Sequence, residues 1–297
     1  MKLAYLLGML PFEIERAVCS KLNSTLGRRP SSAPFLSGDT YRSMADRLYD
    51  ETRSCDPASI FPGALVFVSS MRLEEFAERA LPEIRNRFVL ITHQGDVNID
   101  RGFAGLADHP MVAHWFAQNC LLEHPKVTPL PIGLEDRWRH NNGELSDFKR
   151  VARASAPRIE RIAYAFTLET NLDERVACYK ALKSCKAAQE LPKGLNSSLY
   201  RKIVGRYMLV ASPPGNGLDC HRTWEAMYLR CVPVVEDNYM HRRFLEQGFP
   251  LVIVKDWREL GDWTKEDVKA RYAESSPRAM PEALCAEWWK RAFTSVS

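Results

Sequence analysis

The stretch SPPGNGLDCHRTWE, residues 212–225, places two prolines and two glycines directly before a run of charged and polar side chains. It follows the apolar run YMLVASP and precedes CVPVVED, both of which have the length and composition of buried strands. A strand, a turn-rich loop and a helix in this order are typical of phosphate-binding elements, because the free N–H groups of a helix start attract anions. The stretch therefore predicts a site for a phosphate-containing ligand.

The residue types of this stretch fit a nucleoside diphosphate better than a bare phosphate. Gly215 and Gly217 can adopt positive φ and let a ligand approach the backbone closely, and Asp219 can cap the helix that follows. Arg222 can grip a phosphate with two hydrogen bonds, and Glu225 can accept hydrogen bonds from the two hydroxyls of a ribose. The alternative is an ordinary turn followed by a helix with a solvated Glu225. The predicted site comprises Ser212, Gly215, Asn216, Gly217, Asp219, His221, Arg222 and Glu225.

Further polar residues are predicted at the same edge of the second sheet. Asn171 and Arg175 follow the apolar run RIAYAFTL and can meet the diphosphate, although a capped helix with a surface arginine fits the pattern equally well. Glu236 and Asp237 end the run CVPVVED and can bind sugar hydroxyls, or chelate a metal together with the diphosphate. No D-x-D motif stands at a strand end and no C-x-x-C pair is present, so we predict no metal site.

Apolar runs alternate with helical patterns along the chain, which indicates an α/β fold with parallel sheets. Strands are predicted at residues 2–9, 63–70, 87–93, 126–133, 161–168, 207–213, 231–237 and 250–256. Helices are predicted at 41–53, 71–86, 111–124, 171–189, 197–206 and close to the C-terminus, and the segment RRPSSAPFLSGD is predicted to be a surface loop. These elements suggest two Rossmann-like domains that face each other across a cleft.

The predicted domain boundary falls in the charged segment 135–158, where the α/β pattern breaks. We therefore predict a first Rossmann-like domain at residues 1–150, a second at 151–275, and a C-terminal helical segment at 276–297 that packs back on the first domain. The 41 Lys and Arg residues and 37 Asp and Glu residues are spread along the chain, which disfavours a nucleic-acid partner. No run approaches the ~20 apolar residues of a membrane span.

The segment SPPGNGLDCHRTWEAMYLRCVPVVED resembles the donor-binding segment of exostosin-like glycosyltransferases of family 47, and FVLITHQGDVNID and PLPIGLE resemble companion segments of its N-terminal half. The resemblance implies a GT-B fold, a nucleotide-sugar donor bound by the C-terminal domain, an acceptor bound by the N-terminal domain, and inversion at the anomeric carbon. It also supports a diphosphate role for Asn171 and Arg175. Because the chain is shorter than many relatives and shows no membrane anchor, we expect a cytoplasmic enzyme of bacterial or viral origin.

An inverting transfer needs a general base that takes the proton of the acceptor hydroxyl. The segment THQGDVNID places His93 and Asp96 at or just beyond the carboxyl end of the strand predicted at 87–93. Asp96 is the first candidate for the base and His93 the second. The alternative for Asp96 is that it closes the turn after Gly95.

These observations predict an inverting glycosyltransferase that moves a sugar from a UDP-sugar to a hydroxyl of a glycan acceptor. A neutral sugar such as xylose is favoured because no extra basic group stands beside Glu236 and Asp237. No cofactor is expected beyond the UDP-sugar, which is a co-substrate. Two rivals share the architecture: a non-catalytic nucleotide- or sugar-binding protein, and a sugar-phosphate phosphorylase or epimerase.

Overall fold

The computed structural model describes residues 28–139, 144–151, 157–276 and 279–296. The described chain forms two five-stranded sheets, in which every pairing is parallel, with helices packed against them. This arrangement confirms the predicted α/β class with two parallel sheets. The strand predicted at residues 2–9 lies outside the described residues. None of the helices in the described ranges is long and apolar enough to cross a membrane.

The first sheet lies in the first half of the chain. In both chain and sheet order its strands are β1 (Arg47–Tyr49), β2 (Ala64–Ser69), β3 (Phe88–His93), β4 (Val112–Ala117) and β5 (Val127–Pro129). Every residue of β2 and β3 is buried, as expected for parallel strands that are covered on both faces. The helices of this half are short: α1 (Gly38–Arg42), α2 (Leu73–Glu75), α3 (Ala104–Asp108) and α4 (Ser146–Val151).

The second sheet contains β6 (Ile159–Tyr164), β7 (Ala188–Glu190), β8 (Tyr207–Ala211), β9 (Val232–Glu236) and β10 (Val252–Val254). Their spatial order is β10-β9-β8-β6-β7, so the chain leaves β6 on one side to form β7 and returns to the other side to form β8. The point between β6 and β8 is a topological switch point, where open parallel sheets bind ligands at the carboxyl ends of their strands. The helices of this half are α5 (Leu172–Ser184), α6 (Ser197–Val204), α7 (His221–Tyr228), α8 (Tyr239–Glu246), α9 (Lys265–Ser275) and α10 (Ala286–Ser295).

Three strands occur where the sequence pattern predicted helix. Strand β4 lies within residues 111–124 and pairs with β3 and β5. A strand between two neighbours is apolar on both faces, so it lacks the two-residue alternation that would distinguish it from a helix. Strand β1 lies within the helix predicted at 41–53, and strand β7 overlaps the end of the helix predicted at 171–189. These two helices end early, at Arg42 and Ser184. Residues 71–86 form short 3₁₀, α and π turns in place of one regular helix.

The segment RRPSSAPFLSGD is not the surface loop that its composition predicted. Leu36, which lies in this segment, is fully buried, and its N–H group donates to the Tyr228 hydroxyl at 2.9 Å. The Leu36 carbonyl accepts from the N–H of Leu134 at 2.8 Å. Gly133 has a φ of 69°, and a Cβ there would stand 2.4 Å from the Leu36 oxygen. The segment therefore runs through the contact between the two halves, where small residues allow close backbone packing.

One continuous apolar cluster connects the two sheets. It includes Phe67 and Phe116 of the first sheet and Val210 of the second. Two aromatic residues of α10 extend the cluster, because Trp289 and Phe293 both contact Phe116, with ring centroids 6.2 and 4.7 Å apart. The final helix therefore packs on the first sheet, and the two halves share a core.

Candidate functional site

The loop after β8 and the start of α7 form the centre of the candidate site. The structure corrects the predicted helix cap: Cys220, and not Asp219, stands at the N-cap of α7. The buried Asp219 carboxylate instead accepts hydrogen bonds from the N–H of Ile132, at 2.8 Å, and from the Trp224 indole N–H. Burial raises the pKa of Asp219 to about 6. Asp219 thus fixes the start of α7 to the first half of the chain.

The glycines of this loop do not adopt the positive φ that was predicted for them, since the glycines with positive φ in the described residues lie elsewhere. Gly217 is required for a different reason: a Cβ there would stand 2.7 Å from the Asn119 amide nitrogen. The Asn119 side-chain oxygen accepts from the N–H of Asp219 at 2.8 Å. The absence of a side chain at Gly217 therefore lets the loop dock on the first half. Ser212 also points inward, where its hydroxyl bonds the Thr223 hydroxyl at 2.8 Å.

A cavity of about 790 Å³ opens beside this helix at the switch point of the second sheet. Its walls come from residues 165–170 after β6 and residues 190–195 after β7, together with side chains of α5, α6 and α7. We call it the switch-point cavity. Arg175, Arg222 and Glu225 line it, as does His221. Its volume is in the range of small-molecule sites.

Two guanidinium groups stand close together in the switch-point cavity. Arg175 and Arg222 lie 5.9 and 5.7 Å from the ring centroid of Phe166, and within the described ranges neither forms an ion pair with a carboxylate. Burial and the nearby Arg222 lower the pKa of Arg175. Arg175 donates to the carbonyls of Pro214 and Thr167, at 2.7 and 2.6 Å, so it also holds the loop. Two arginines without a carboxylate partner make this cavity suited to an anion.

Asn171 positions the same loop from the start of α5. Its side-chain oxygen accepts from the N–H of Glu174 as the helix N-cap, and its amide donates to the Gly215 carbonyl at 2.9 Å. Of the residues predicted from this region, Arg175 faces the cavity, whereas Asn171 and Gly215 support its wall.

Glu225 is held by a buried arginine that sequence reasoning did not identify. Arg201, on α6, is 1% exposed in its side chain and donates to Glu225 Oε1 through Nε and Nη2, at 3.2 and 3.1 Å. It also contacts Asp147 Oδ2 at 3.4 Å. Both bonds reach Oε1 of Glu225, so this oxygen of the carboxylate faces Arg201. Glu225 also lines the switch-point cavity.

Glu236 and Asp237 do not line the switch-point cavity. Asp237 makes an ion pair with Arg242 at 2.9 Å. Glu236 lies against Glu174 at the start of α5, and partial burial together with the charge of Glu174 and the hydrogen bond between the two carboxyl groups raises the pKa of Glu236 to about 7. The predicted role of these residues in sugar binding therefore lacks support from their position.

The raised pKa of Glu236 predicts a pH-dependent contribution to stability. The folded-state pKa, about 7, exceeds the ordinary value of 4.5, so the folded protein binds this proton more tightly than the unfolded chain. The contribution of the Glu236 carboxyl group to folding stability is therefore complete below pH 4.5 and is lost as the pH rises through 7. Because solvent screens the half-buried pair, we expect Glu236→Gln to raise the melting temperature by only about 2 °C at pH 8. The same substitution should leave melting at pH 5 unchanged; an equal shift at both pH values would contradict the assignment.

A second cavity, of about 690 Å³, lies at the carboxyl end of the first sheet. We call it the first-sheet cavity. The exposed carboxylate of Asp96 lines it, together with the half-buried indole ring of Trp138. Glu51, Glu135 and Asp136 supply further carboxylates, and the cations at its wall are Arg29 and Arg139.

His93 also lines this cavity, but both of its ring nitrogens are engaged. Nδ1 lies 2.8 Å from the N–H of Gln94 and must accept from it, so it carries no proton. Nε2 therefore carries the proton and donates to the Pro131 carbonyl at 3.2 Å. Burial lowers the pKa of His93. The ring is held neutral, with no free lone pair for a substrate proton.

A buried polar cluster beside His93 was not predicted as part of the site. The Gln94 amide nitrogen lies 2.9 Å from both Asp39 Oδ1 and Asp136 Oδ2, and Arg29 Nε lies 2.8 Å from Asp39 Oδ1. Burial and the neighbouring Asp136 raise the pKa of Asp39 above its usual range. Asp136 stands in the segment PLPIGLED and could have been found from that position, whereas Asp39 belongs to the segment predicted as a surface loop.

The two cavities meet at His221. This residue lines both of them, and Asn216 of the same loop lines the first-sheet cavity. His221 Nδ1 lies 2.8 Å from the Gly133 carbonyl oxygen, and Nε2 lies 3.6 Å from Glu135 Oε1. The first residue of α7 is therefore bonded across the contact between the two halves and stands where their cavities join.

Comparisons with known proteins show no family model that matches the chain and no significant match among curated proteins. Among solved structures, a spinosyn rhamnosyltransferase complexed with spinosyn aglycone is 14% identical, with 78% of this chain and 70% of that chain covered and a TM-score of 0.39. A spinosyn forosaminyltransferase is 12% identical over 77% and 71% of the two chains, with a TM-score of 0.33. A glycotransferase of kitacinnamycin is 10% identical over 78% and 72%, also with a TM-score of 0.33.

Proposed function

We propose that this chain is a glycosyltransferase that moves a sugar from a nucleotide-sugar donor to a hydroxyl group of an acceptor. The observation that carries the proposal is the junction of the two cavities at His221. A transfer between two bound substrates needs two adjoining sites, with the bond that breaks and the bond that forms close to their common wall. A protein that only binds a nucleotide would need the switch-point cavity alone.

The switch-point cavity is assigned to the donor. The guanidinium groups of Arg175 and Arg222 and the N-terminus of α7 would bind the diphosphate. Glu225, oriented by Arg201, would accept hydrogen bonds from the ribose hydroxyls. Each of these groups stabilises the negative charge that develops on the departing diphosphate or fixes the nucleoside beside it.

The first-sheet cavity is assigned to the acceptor. Its carboxylates can accept hydrogen bonds from several hydroxyl groups. The Trp138 ring, over which Arg29 and Arg139 lie, adds an aromatic surface to the same wall. This chemistry suits a glycan. Asp96, exposed in this cavity, is a candidate for the base from the sequence.

The finer assignments follow the resemblance to the exostosin-like enzymes. We propose UDP as the nucleotide, a neutral sugar such as xylose as the transferred group, and inversion at the anomeric carbon. No cluster of His, Cys, Asp or Glu in the described ranges could hold a metal ion. The cations that line the switch-point cavity are Arg175, Arg222 and Lys193.

The proposal is tested first by thermal shift with UDP, GDP, ADP and CMP, and then with UDP-xylose, UDP-glucose, UDP-galactose and UDP-glucuronate. A ligand at 100 times its Kd adds about 2.7 kcal/mol of stability if it binds only the folded protein. We expect a selective response to UDP and to one UDP-sugar, followed by release of UDP when a glycan acceptor is added. Binding of UDP without any turnover would support the non-catalytic alternative, and no response to any nucleotide would refute the donor site.

Glu225→Gln should raise the KM for the donor about 10- to 100-fold with kcat little changed, because a lost hydrogen bond to a charged group costs about 1.5–3 kcal/mol. Initial-rate kinetics with a varied donor concentration measure this effect. Glu246→Gln is the matched control, since Glu246 pairs with Arg243 on the exposed face of α8. A donor KM within twofold of the unmodified protein would rule out the ribose assignment.

A further inference from the structure

His221 occupies the only position among the described residues that lines both the switch-point cavity and the first-sheet cavity. We propose that His221 is the general base of the transfer, an inference that rests on the proposed glycosyltransferase function. A base must touch the acceptor hydroxyl while that hydroxyl attacks the anomeric carbon of the donor. The common wall of the two cavities is where these two groups meet.

The hydrogen bond to Gly133 sets the tautomer of the His221 ring. A carbonyl oxygen can only accept, so Nδ1, 2.8 Å from the Gly133 oxygen, carries the proton. In the neutral ring the free lone pair is therefore on Nε2. His93 differs on this point, because both of its nitrogens are used by backbone groups.

The contacts around Gly133 make this orientation rigid. The preceding residue, Ile132, donates its N–H to the buried Asp219 carboxylate at 2.8 Å, and Asp219 is two positions before His221 in the chain. The peptide segment that accepts from the ring and the helix that carries the ring are thus joined by two hydrogen bonds. A catalytic ring fixed in this way loses little freedom when substrate binds.

Glu135 is placed to stabilise the protonated ring. Its Oε1 lies 3.6 Å from His221 Nε2, which is longer than a hydrogen bond and leaves the lone pair available. Once Nε2 has taken a proton, the carboxylate favours the imidazolium electrostatically. Glu135 Oε1 also pairs with Arg139 Nε at 3.3 Å, so it is shared between the two cations once His221 is protonated. The other ionisable groups around His221 are Asp219 and Arg222 beside it on the chain, and His93 of the first sheet, whose charge interacts with that of His221.

The step balances without any further reactant. The acceptor O–H proton moves to His221 Nε2, and the acceptor oxygen forms a bond to the anomeric carbon. The bond from that carbon to the diphosphate oxygen breaks, and its electron pair leaves on the nucleoside diphosphate near Arg222. The imidazolium then returns its proton to water.

The test compares His221→Asn with Asp96→Asn in the full chain. Asparagine keeps an N–H donor where Nδ1 bonds the Gly133 carbonyl but has no group at the position of Nε2. We expect His221→Asn to lower kcat about 100- to 10,000-fold and to keep the affinity for UDP within about twofold. Asp96→Asn should lower kcat far less than His221→Asn does. His124→Asn, a substitution at a histidine paired with Asp108 away from both cavities, is the matched control.

Three outcomes would overturn the assignment. If His221→Asn keeps kcat within a few-fold, His221 is not the base. If Asp96→Asn lowers kcat about 100-fold or more while His221→Asn stays nearly fully active, the base is Asp96. If His221→Asn weakens UDP binding tenfold or more with kcat unchanged, His221 binds the diphosphate instead. Each of these results leaves the glycosyltransferase proposal intact, whereas an unmodified protein that neither binds a nucleotide nor turns over a donor refutes both.

Discussion

Arg222→Gln should weaken donor binding by about 100-fold or more, because two hydrogen bonds from a guanidinium to a diphosphate contribute about 1.5 kcal/mol or more each. Arg222 lines the switch-point cavity at the start of α7, over the ring of Phe166, and forms no ion pair with a carboxylate in the described part of the chain. Its side chain hydrogen-bonds Tyr200 and its charge interacts with that of Glu225, which holds the guanidinium in the cavity where an anion can meet it. Calorimetric titration of UDP into the purified variant measures the loss directly.

Arg222→Lys separates charge from geometry. Lysine keeps the positive charge but not the planar fork of the guanidinium group. We therefore expect the affinity for UDP to fall about tenfold, which is less than the fall in the Gln variant. Arg242→Gln is the matched control, because Arg242 pairs with Asp237 on the exposed side of α8. Equal UDP affinity in Arg222→Gln and in the control would show that the diphosphate binds elsewhere.

The second large effect is expected on stability. Arg201→Met should lower the free energy of unfolding by about 3–5 kcal/mol, the usual result of removing one partner of a buried ion pair. Arg201 is fully buried and bonds both Glu225 and Asp147, so its loss leaves two carboxylates in a poorly solvated place without this cation. For a chain of this size the melting temperature should fall by at least about 6 °C.

Urea and thermal unfolding of Arg201→Met and of the exposed control Arg291→Met check this expectation. Arg291 lies 3.7 Å from Glu282 with its side chain largely exposed, and its replacement should change the melting temperature by less than about 1 °C. UDP affinity measured well below the melting temperature gives a second readout. We expect it to fall, because Arg201 orients Glu225. A variant as stable as the unmodified protein would contradict the role of this ion pair.

The sequence predicted the second sheet better than the first for a physical reason. Strands β8, β9 and β10 are short apolar runs bounded by turns or charged residues, a pattern that distinguishes them from helices. Strand β4 is apolar at nearly every position and gives no such distinction. Strand β1 is only three residues long, and its conformation depends on pairing with β2, which no local pattern reveals.

The sequence predicted which residue types form the candidate site, but not the long-range contacts that hold them in place. The loop and helix of residues 212–225 were identified from glycine, arginine and carboxylate spacing, and the structure brings His221, Arg222 and Glu225 to one cavity. The roles of Asp219 and Gly217 follow from contacts with residues about 90 to 100 positions earlier in the chain, such as the bond of Asp219 to Ile132. Such long-range contacts leave no periodic signal in the sequence.

The apolar cluster that joins the two sheets has a consequence for how the chain folds. Phe67 and Phe116 from one half and Val210 and Trp224 from the other belong to one cluster, so each half buries part of its apolar surface against the other. Unfolding should therefore occur as one cooperative transition, with coincident loss of ellipticity and tryptophan fluorescence. For the same reason, a fragment that ends between the sheets would expose a face of aromatic residues and aggregate.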